Sequence, residues 1–168
     1  MDDGVLVAGI GNIFFRDDGF GPAVVAALLT AVDQHPLPPD VRVIDYGIRG
    51  VHLSYDLLGG VAALVLIDAV PAGTGGHTEP GTVLTIEIGP DDLGHGDSDA
   101  HGMSPVAVLA NLAPMGGSLP PTYLIGCIAA DVSDGMGLSE QVTAAIQPAA
   151  DAVRALLGTL TALTEAVS

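Results

Sequence analysis

Three side chains of types that bind divalent metals or carry protons stand out against apolar stretches of the chain. Asp18 follows the first apolar run, Asp68 interrupts the run Leu64–Val70, and His101 precedes Ser104. An unpaired buried carboxylate costs several kcal/mol, so Asp68 is expected to meet a partner or to face a pocket. Two carboxylates and one neutral imidazole fit an open site for a borderline divalent metal.

Each of these side chains also has an ordinary structural interpretation. Asp18 fits an acid that caps backbone N–H groups at a helix start, Asp68 a cap on the turn after a strand, and His101 a loop histidine. The adjacent Asp17 competes with Asp18 as a ligand. The metal-site hypothesis therefore depends on the three residues meeting at one edge of a sheet.

Apolar and alternating segments predict five strands, and segments with helical spacing lie between them. The strands are predicted at Val5–Ile10, Val41–Tyr46, Ala62–Val70, Thr82–Ile88 and Thr122–Ala130, the fourth of them near an edge. Helices are predicted from Phe20 to before Pro36, over Val51–Leu58, from a Ser104 cap through Leu112, and after a Ser139 cap, the last with Val142, Ile146, Val153, Leu156 and Leu160 facing the core. This alternation predicts one α/β domain over residues 1–168, a three-layer α/β/α sandwich around a mostly parallel, twisted sheet of about five strands.

The predicted sheet would gather the three candidate residues. In open α/β sheets the carboxyl ends of the strands form the ligand crevice, and Asp18 and Asp68 follow or end strands there. Residues 89–103, rich in Gly, Asp and His, have little to pack and are predicted to form a functional loop that carries His101.

Composition excludes several classes of partner. The chain has 20 acidic residues against four arginines and no lysine, with a net charge of −16, so nucleic acid and anionic membrane surfaces are not expected partners. With 49% hydrophobic residues it is expected to fold, but no apolar stretch reaches the roughly 20 residues that a membrane span needs. The single Cys127 fits a reducing cytoplasm, where we expect the protein to act without membrane insertion.

Familiar enzyme motifs are incomplete or missing in the sequence. Gly9-Ile-Gly11 follows a strand, but Phe14 occupies the third glycine position of a dinucleotide-binding turn, and two aspartates would repel a pyrophosphate. There is no Gly-x-Ser-x-Gly or His-Glu-x-x-His pattern. Cys127 lies within a predicted strand and fits a small buried hydrophobe better than a nucleophile.

Three ordered motifs resemble the hydrogenase maturation protease family. They are Gly9–Gly21, Val65–Val70 and Asp99–Ser104, and the similarity extends to Asp45–Gly50 and to the segment from Gly126 to Ser139. The chain has Asp18 where the family often has Glu, and Ile128-Ala-Ala130 where many members have a proline-bearing segment.

The resemblance implies an endopeptidase that cuts a C-terminal extension from the large-subunit precursor of a nickel-iron hydrogenase after nickel insertion. The family's catalytic and metal-contacting acid, acid and histidine correspond to Asp18, Asp68 and His101. The nickel would be supplied by the substrate, so no permanently bound cofactor is expected. The residues expected to shape the loop around Asp18 or to line the substrate-reading rim are Gly11, Asn12, Asp17, Gly47, Arg49 and Gly50.

Two other classes of function stay open. The first is a non-catalytic nickel-binding chaperone of hydrogenase assembly on the same fold. The second is a small-molecule hydrolase or nucleotide-binding α/β protein.

Overall fold

The fold is built on a five-stranded sheet with helices on both faces. The computed structural model describes residues 4–93 and 105–167. In these segments the strands are β1 Val5–Ile10, β2 Val41–Gly47, β3 Ala63–Val70, β4 Val83–Ile88 and β5 Thr122–Ile128. The helices are α1 Phe20–Thr30, α2 Gly50–Leu58, α3 Pro105–Ala110 and α4 Glu140–Val167, with short 3-10 helices at Arg16–Gly19, Thr74–Gly76 and Pro90–Leu93.

The strand order is β2-β1-β3-β5-β4. All neighbouring pairs are parallel except β4 with β5, which is antiparallel. The predicted mostly parallel sheet and the edge position of the fourth strand are confirmed. The order also places β1 directly beside β3, so the two strands that lead to Asp18 and Asp68 are neighbours.

Alternating side chains of β1 enter two separate cores. Val5 and Val7 pack with residues of α1 and α4, whereas Leu6 and Ala8 pack with residues of α2 and α3. A strand whose successive side chains are all buried must be covered on both faces, as its continuous apolar sequence indicates. The three-layer α/β/α sandwich is therefore confirmed.

The long helix α4 packs through a stripe that differs in part from the predicted one. Val142, Val153 and Leu160 are buried as predicted, but Ile146 and Leu156 are only partly buried. Up to residue 162, where the side chains of α4 are described, the other buried positions are Ala145, Ala149, Ala150 and Leu157. The large apolar side chains of Ile146 and Leu156 led to the prediction that they face the core. In the structure alanines occupy much of that face, and their small side chains let the helix approach its neighbours closely. Helix α3 ends at Ala110, two residues before the predicted end, although Leu112 beyond it is buried.

The start of α1 lies against the ends of β1 and β3. A Cβ atom on Gly21 would stand 2.4 Å from the carbonyl oxygens of both Ile10 and Ile67. Only glycine permits this approach, which brings the loop before α1 directly over the ends of these two strands. Among the helices of the described segments, none combines the length and the apolar character needed to cross a membrane.

Candidate active site

Asp18 and Asp68 meet at the carboxyl edge of the sheet. Asp18 lies in the 3-10 helix between β1 and α1, and Asp68 lies near the end of β3. The backbone N–H of Asn12 donates a 2.8 Å hydrogen bond to Asp18 Oδ2. Gly11 separates the two acids: a Cβ atom there would stand 1.9 Å from the Asp18 carbonyl oxygen and 3.7 Å from Asp68 Oδ1.

Asp68 is a buried carboxylate with an unsatisfied oxygen. Its residue is 6% exposed, and its Oδ1 finds no hydrogen-bond donor among the residues that the structure describes. Burial, and then the negative charge of Asp18, raise the pKa of Asp68 well above its usual value, and the Ala69 N–H offsets this only in part. Two neighbouring carboxylates with an orphaned oxygen form a site that a cation would stabilise.

The third predicted ligand, His101, falls outside the described residues, so its position stays a prediction. Within residues 4–93 and 105–167, no three His, Cys, Asp or Glu side chains are grouped closely enough to hold a metal. The described part of the site therefore consists of a carboxylate pair. An incoming metal would need further ligands, from residue 101 or from the molecule that carries it.

Asp17, next to Asp18 in the chain, has a different environment. It is fully buried, and its Oδ2 accepts hydrogen bonds from the N–H groups of Ala130 and Asp131, both at 2.9 Å. Ser139 donates from its N–H to Oδ1 at 2.7 Å and from its hydroxyl to Oδ2 at 2.9 Å. Burial alone would raise the pKa of Asp17, but these hydrogen bonds outweigh it and lower the pKa below its usual value. Because Asp17 is fully buried and both of its carboxylate oxygens accept hydrogen bonds within the protein, it does not fit the predicted role of a substrate contact or of a competing metal ligand.

The predicted rim residues between the end of β2 and the start of α2 have three different environments. Gly47 lies beside the site, because its carbonyl accepts the Gly11 N–H at 3.0 Å. Arg49 turns back on its own strand and donates to the carbonyl oxygens of Asp45 and Tyr46. Gly50 is buried, and a Cβ there would stand 2.7 Å from a Val108 methyl carbon, so it permits the close packing of α2 on α3.

A groove of about 370 Å³ lies between α2 and α3, on the side of the β2–α2 loop. Its lining includes Arg49, Val51, Tyr55 and Asn111, but neither Asp18 nor Asp68. None of the described residues that line this groove is an aspartate or a glutamate. The carboxylate pair is therefore the candidate site for chemistry.

Several large apolar side chains are exposed on loops at the carboxyl edge. The β1–α1 loop and the β5–α4 loop pair through a bridge between Phe15 and Gly135. Their exposed members are Ile13, Phe14, Phe15, Val132 and Met136, with exposed fractions of 40–64%. Together these five side chains are called the apolar rim below. Exposed apolar patches beside a polar site are typical of surfaces that contact another macromolecule.

Sequence reasoning treated Ser139 only as a helix cap and did not connect it with the site. The residue does accept a 3.4 Å hydrogen bond from the Val142 N–H, but it also holds Asp17, 122 positions earlier. A helix-cap pattern is local, so nothing in it could reveal this partner.

Cys127 behaves as predicted: it is fully buried, and burial and then the charge of Asp17 raise its pKa to about 11.

Comparison with known proteins gives consistent matches. The family model described as hydrogenase maturation protease, HycI, matches residues 23–156, a range that includes Asp68 and begins after Asp18. The HupD hydrogenase expression/formation protein of Rhodobacter capsulatus is 35% identical, over 90% of this chain and 70% of that protein. A putative hydrogenase maturation protease of Methanocaldococcus jannaschii is 30% identical, over 89% of this chain and 93% of that protein.

Solved structures agree with these sequence matches. The hydrogenase maturating endopeptidase HybD of Escherichia coli superposes with a TM-score of 0.74 at 29% identity, covering 93% of each chain. A hydrogenase 2 maturation peptidase from a Thaumarchaeota archaeon gives a TM-score of 0.66 at 30% identity, over 93% of this chain and 99% of that one. The fold, the sequence and the family model thus point the same way, and the chain belongs to the hydrogenase maturation protease family.

Proposed function

We propose that the protein is an endopeptidase that removes the C-terminal extension of a nickel-iron hydrogenase large-subunit precursor after nickel has been inserted. The observation that carries this proposal is the orphaned Oδ1 of buried Asp68 beside a second carboxylate, Asp18. In this proposal the nickel belongs to the substrate, and the enzyme needs no resident cofactor. Asp18, Asp68 and His101 contact that nickel and thereby recognise a precursor that is ready to be cut.

The donor set of the described site suits a metal that arrives already partly coordinated. Two carboxylates, even with His101 as a third ligand, leave at least one position of a four-coordinate divalent metal open, which ligands brought by the precursor can fill. A metal held by the precursor's own side chains meets that requirement. Binding it would also compensate the mutual repulsion of Asp18 and Asp68.

The protein contributes to cleavage mainly by positioning. Docking the metal on the carboxylates places the nearby peptide bond at the carboxyl edge, and positioning of this kind can lower a barrier by about 7–11 kcal/mol in favourable cases. A carboxylate of the pair then serves as the base for the attacking water. No thiol takes part, since the described Cys127 is buried within β5 and holds its proton up to a pKa of about 11.

The apolar rim supports a protein substrate over a small molecule. Its five side chains are exposed on two paired loops, one of which carries Asp18. A precursor surface of apolar character would bury these side chains when its metal reaches the carboxylates. A small-molecule hydrolase has no need of such a surface.

The direct test is to incubate the purified protein with nickel-loaded precursor and to follow the precursor's mass. We expect a single shortening of the nickel-loaded form and an unchanged mass for the same precursor prepared without nickel. The Asp68→Asn variant supplies the matched control within the site, and Asp33→Asn, which changes an exposed acid in the turn after α1, supplies one outside it.

An intact precursor after incubation with wild-type protein would contradict the proposal. In that case, co-purification of the protein with the uncut, nickel-loaded precursor would favour the assembly-chaperone alternative. Cleavage that proceeds equally well without nickel would support the peptidase activity but contradict the proposal that the enzyme recognises the substrate's nickel.

A further inference from the structure

Asp17 is a fully buried carboxylate that the proposed reaction does not use. Taking such a charge out of water costs several kcal/mol unless the charge is well compensated. The compensation here consists of four hydrogen bonds of 2.7–2.9 Å from Ala130, Asp131 and Ser139, all of them in the segment between β5 and α4. Charge-assisted bonds of this length are among the stronger hydrogen bonds in proteins.

The geometry of one helical turn links this buried group to the site. Asp17 and Asp18 are consecutive residues of the 3-10 helix Arg16–Gly19. With three residues per turn, consecutive side chains project about 120° apart, so fixing one direction fixes the other. Because Asp17 is anchored inward, Asp18 must project away from that anchor, toward the Asn12 N–H that holds its Oδ2.

The backbone of the same loop is anchored to the same segment. The Arg16 N–H donates to the Gly135 carbonyl at 3.0 Å, the Gly135 N–H donates to the Phe14 carbonyl at 2.9 Å, and the Asp17 N–H donates to the Asp131 carbonyl at 3.0 Å. Arg16 adopts a left-handed conformation with φ of 47°. That conformation is costly for a residue other than glycine and persists only where the surroundings enforce it. The loop that carries Asp18 is therefore held in place by contacts from the β5–α4 segment.

We infer that Asp17 and Ser139, called the clamp below, are positioning residues that orient the Asp18 carboxylate for peptide-bond cleavage. The inference rests on the proposed function, because it assigns Asp18 a direct role in the reaction. Neither clamp residue touches the substrate. Loosening the clamp should therefore lower kcat by more than it raises KM, because the side chains of the apolar rim, to which we attribute most of the affinity for the precursor, stay exposed.

Ser139 allows the clamp to be separated from helix capping. Ser139→Asp keeps a good N-cap for α4, because aspartate caps helices as well as serine does, but it sets a second carboxylate against Asp17. Ser139→Thr keeps both the cap and the hydroxyl donor. Ser139→Ala removes the hydroxyl, and with it both the bond to Asp17 and the cap to the Val142 N–H, but leaves the three backbone donors of Asp17 in place.

The experiment measures kcat and KM for cleavage of the nickel-loaded precursor by the wild type and the three variants. We expect Ser139→Asp to lower kcat by about tenfold or more with KM within about twofold, since a misplacement of about 1 Å can cost two orders of magnitude in rate. Ser139→Ala should show a smaller loss in kcat, and Ser139→Thr should restore it. Circular dichroism and thermal unfolding confirm the fold of each variant, and amide hydrogen exchange at Ala130 and Asp131 reports whether the clamp has opened.

Each result supports or overturns the inference. A folded Ser139→Asp variant with wild-type kcat overturns it, as does a loss confined to KM. If Ser139→Asp does not fold, the comparison of Ser139→Ala with Ser139→Thr decides: equal kcat values in both overturn the inference. If the wild type itself leaves the precursor uncut, the proposed function fails and takes the inference with it. Cleavage by the wild type with unaffected clamp variants removes the inference alone.

Discussion

Gly11 lies so close to Asp18 that a Cβ atom at position 11 would stand 1.9 Å from the Asp18 carbonyl oxygen. The glycine also has a φ of +143°, a conformation that other residues rarely adopt. The absence of a side chain at Gly11 thus allows the Asp18 loop to pack directly against the end of β1. The contact gives the Asp18 carbonyl no freedom to move toward the strand.

Gly11→Ala is expected to displace the Asp18 loop. The clash and the backbone strain together should lower the free energy of unfolding by about 2 kcal/mol or more and abolish precursor cleavage. Chemical denaturation and the cleavage assay measure the two effects. Gly158→Ala adds the same methyl group within α4, where nothing lies within 4 Å, and should instead stabilise the protein by about 1 kcal/mol. Wild-type activity in Gly11→Ala would show that the close approach is dispensable.

Asp68→Asn is expected to separate activity from stability. Burial and the charge of Asp18 disfavour the ionised form of Asp68, which is why its pKa is raised, so an uncharged amide removes that penalty. We expect a higher midpoint of thermal unfolding than for the wild type at neutral pH, together with loss of cleavage. The exposed-acid variant Asp33→Asn should change neither quantity. A less stable Asp68→Asn protein would mean that the carboxylate has a structural role that the geometry does not reveal.

Asp17→Asn should destabilise the protein in a manner that depends on pH. The folded state lowers the pKa of Asp17, so its contribution to stability is fully present above the unfolded-state pKa near 3.9 and is lost as the pH falls through the lower, folded-state value. Near neutral pH we expect the variant to lose about 2–3 kcal/mol, because an amide cannot accept all four hydrogen bonds. Denaturant titrations of both proteins from pH 7 to pH 3 should show the difference narrowing at the acid end. A constant difference over that range would contradict the assignment.

The Cys127 thiol is expected to be unreactive in the native protein. Burial and then the charge of Asp17 raise the pKa of the thiol to about 11, and the residue is fully buried in β5. Since the thiolate is the reactive form, alkylation at pH 8 should be slow in the native protein and rapid in denaturant. Cys127→Ala should keep cleavage activity. Rapid labelling of the native thiol, or loss of cleavage in that variant, would contradict a carboxylate mechanism.

Phe14→Ser is expected to weaken precursor binding with little effect on the fold. Phe14 is 59% exposed, so the substitution removes little buried surface in the free protein. KM for the precursor should rise by about tenfold, which corresponds to one well-buried apolar contact at an interface. Leu29→Ser changes a similarly exposed side chain near the far end of α1 and should leave KM unchanged. Equal KM values for both variants would place the docking surface elsewhere.

The sequence predicted those features that depend on local pattern or on general rules of topology. Apolar runs located all five strands to within two residues at each end, and the rule for strand ends brought Asp18 and Asp68 to one edge. The different environments of Asp17 and Asp18 could not be predicted, because adjacency in the chain does not say which carboxylate turns inward. The close packing of Gly50 against Val108 could not be predicted either, because it depends on a contact between two helices distant in sequence. The placement of His101 stays a prediction.

The apolar rim also affects how copies of the protein behave toward one another. At neutral pH a net charge of −16 keeps like-charged molecules apart despite their exposed phenylalanine and methionine side chains. Near the isoelectric point of about 4.1 that repulsion disappears, and molecules are expected to associate through their apolar rims. The surplus of acidic residues thus opposes self-association of the protein through its exposed apolar side chains.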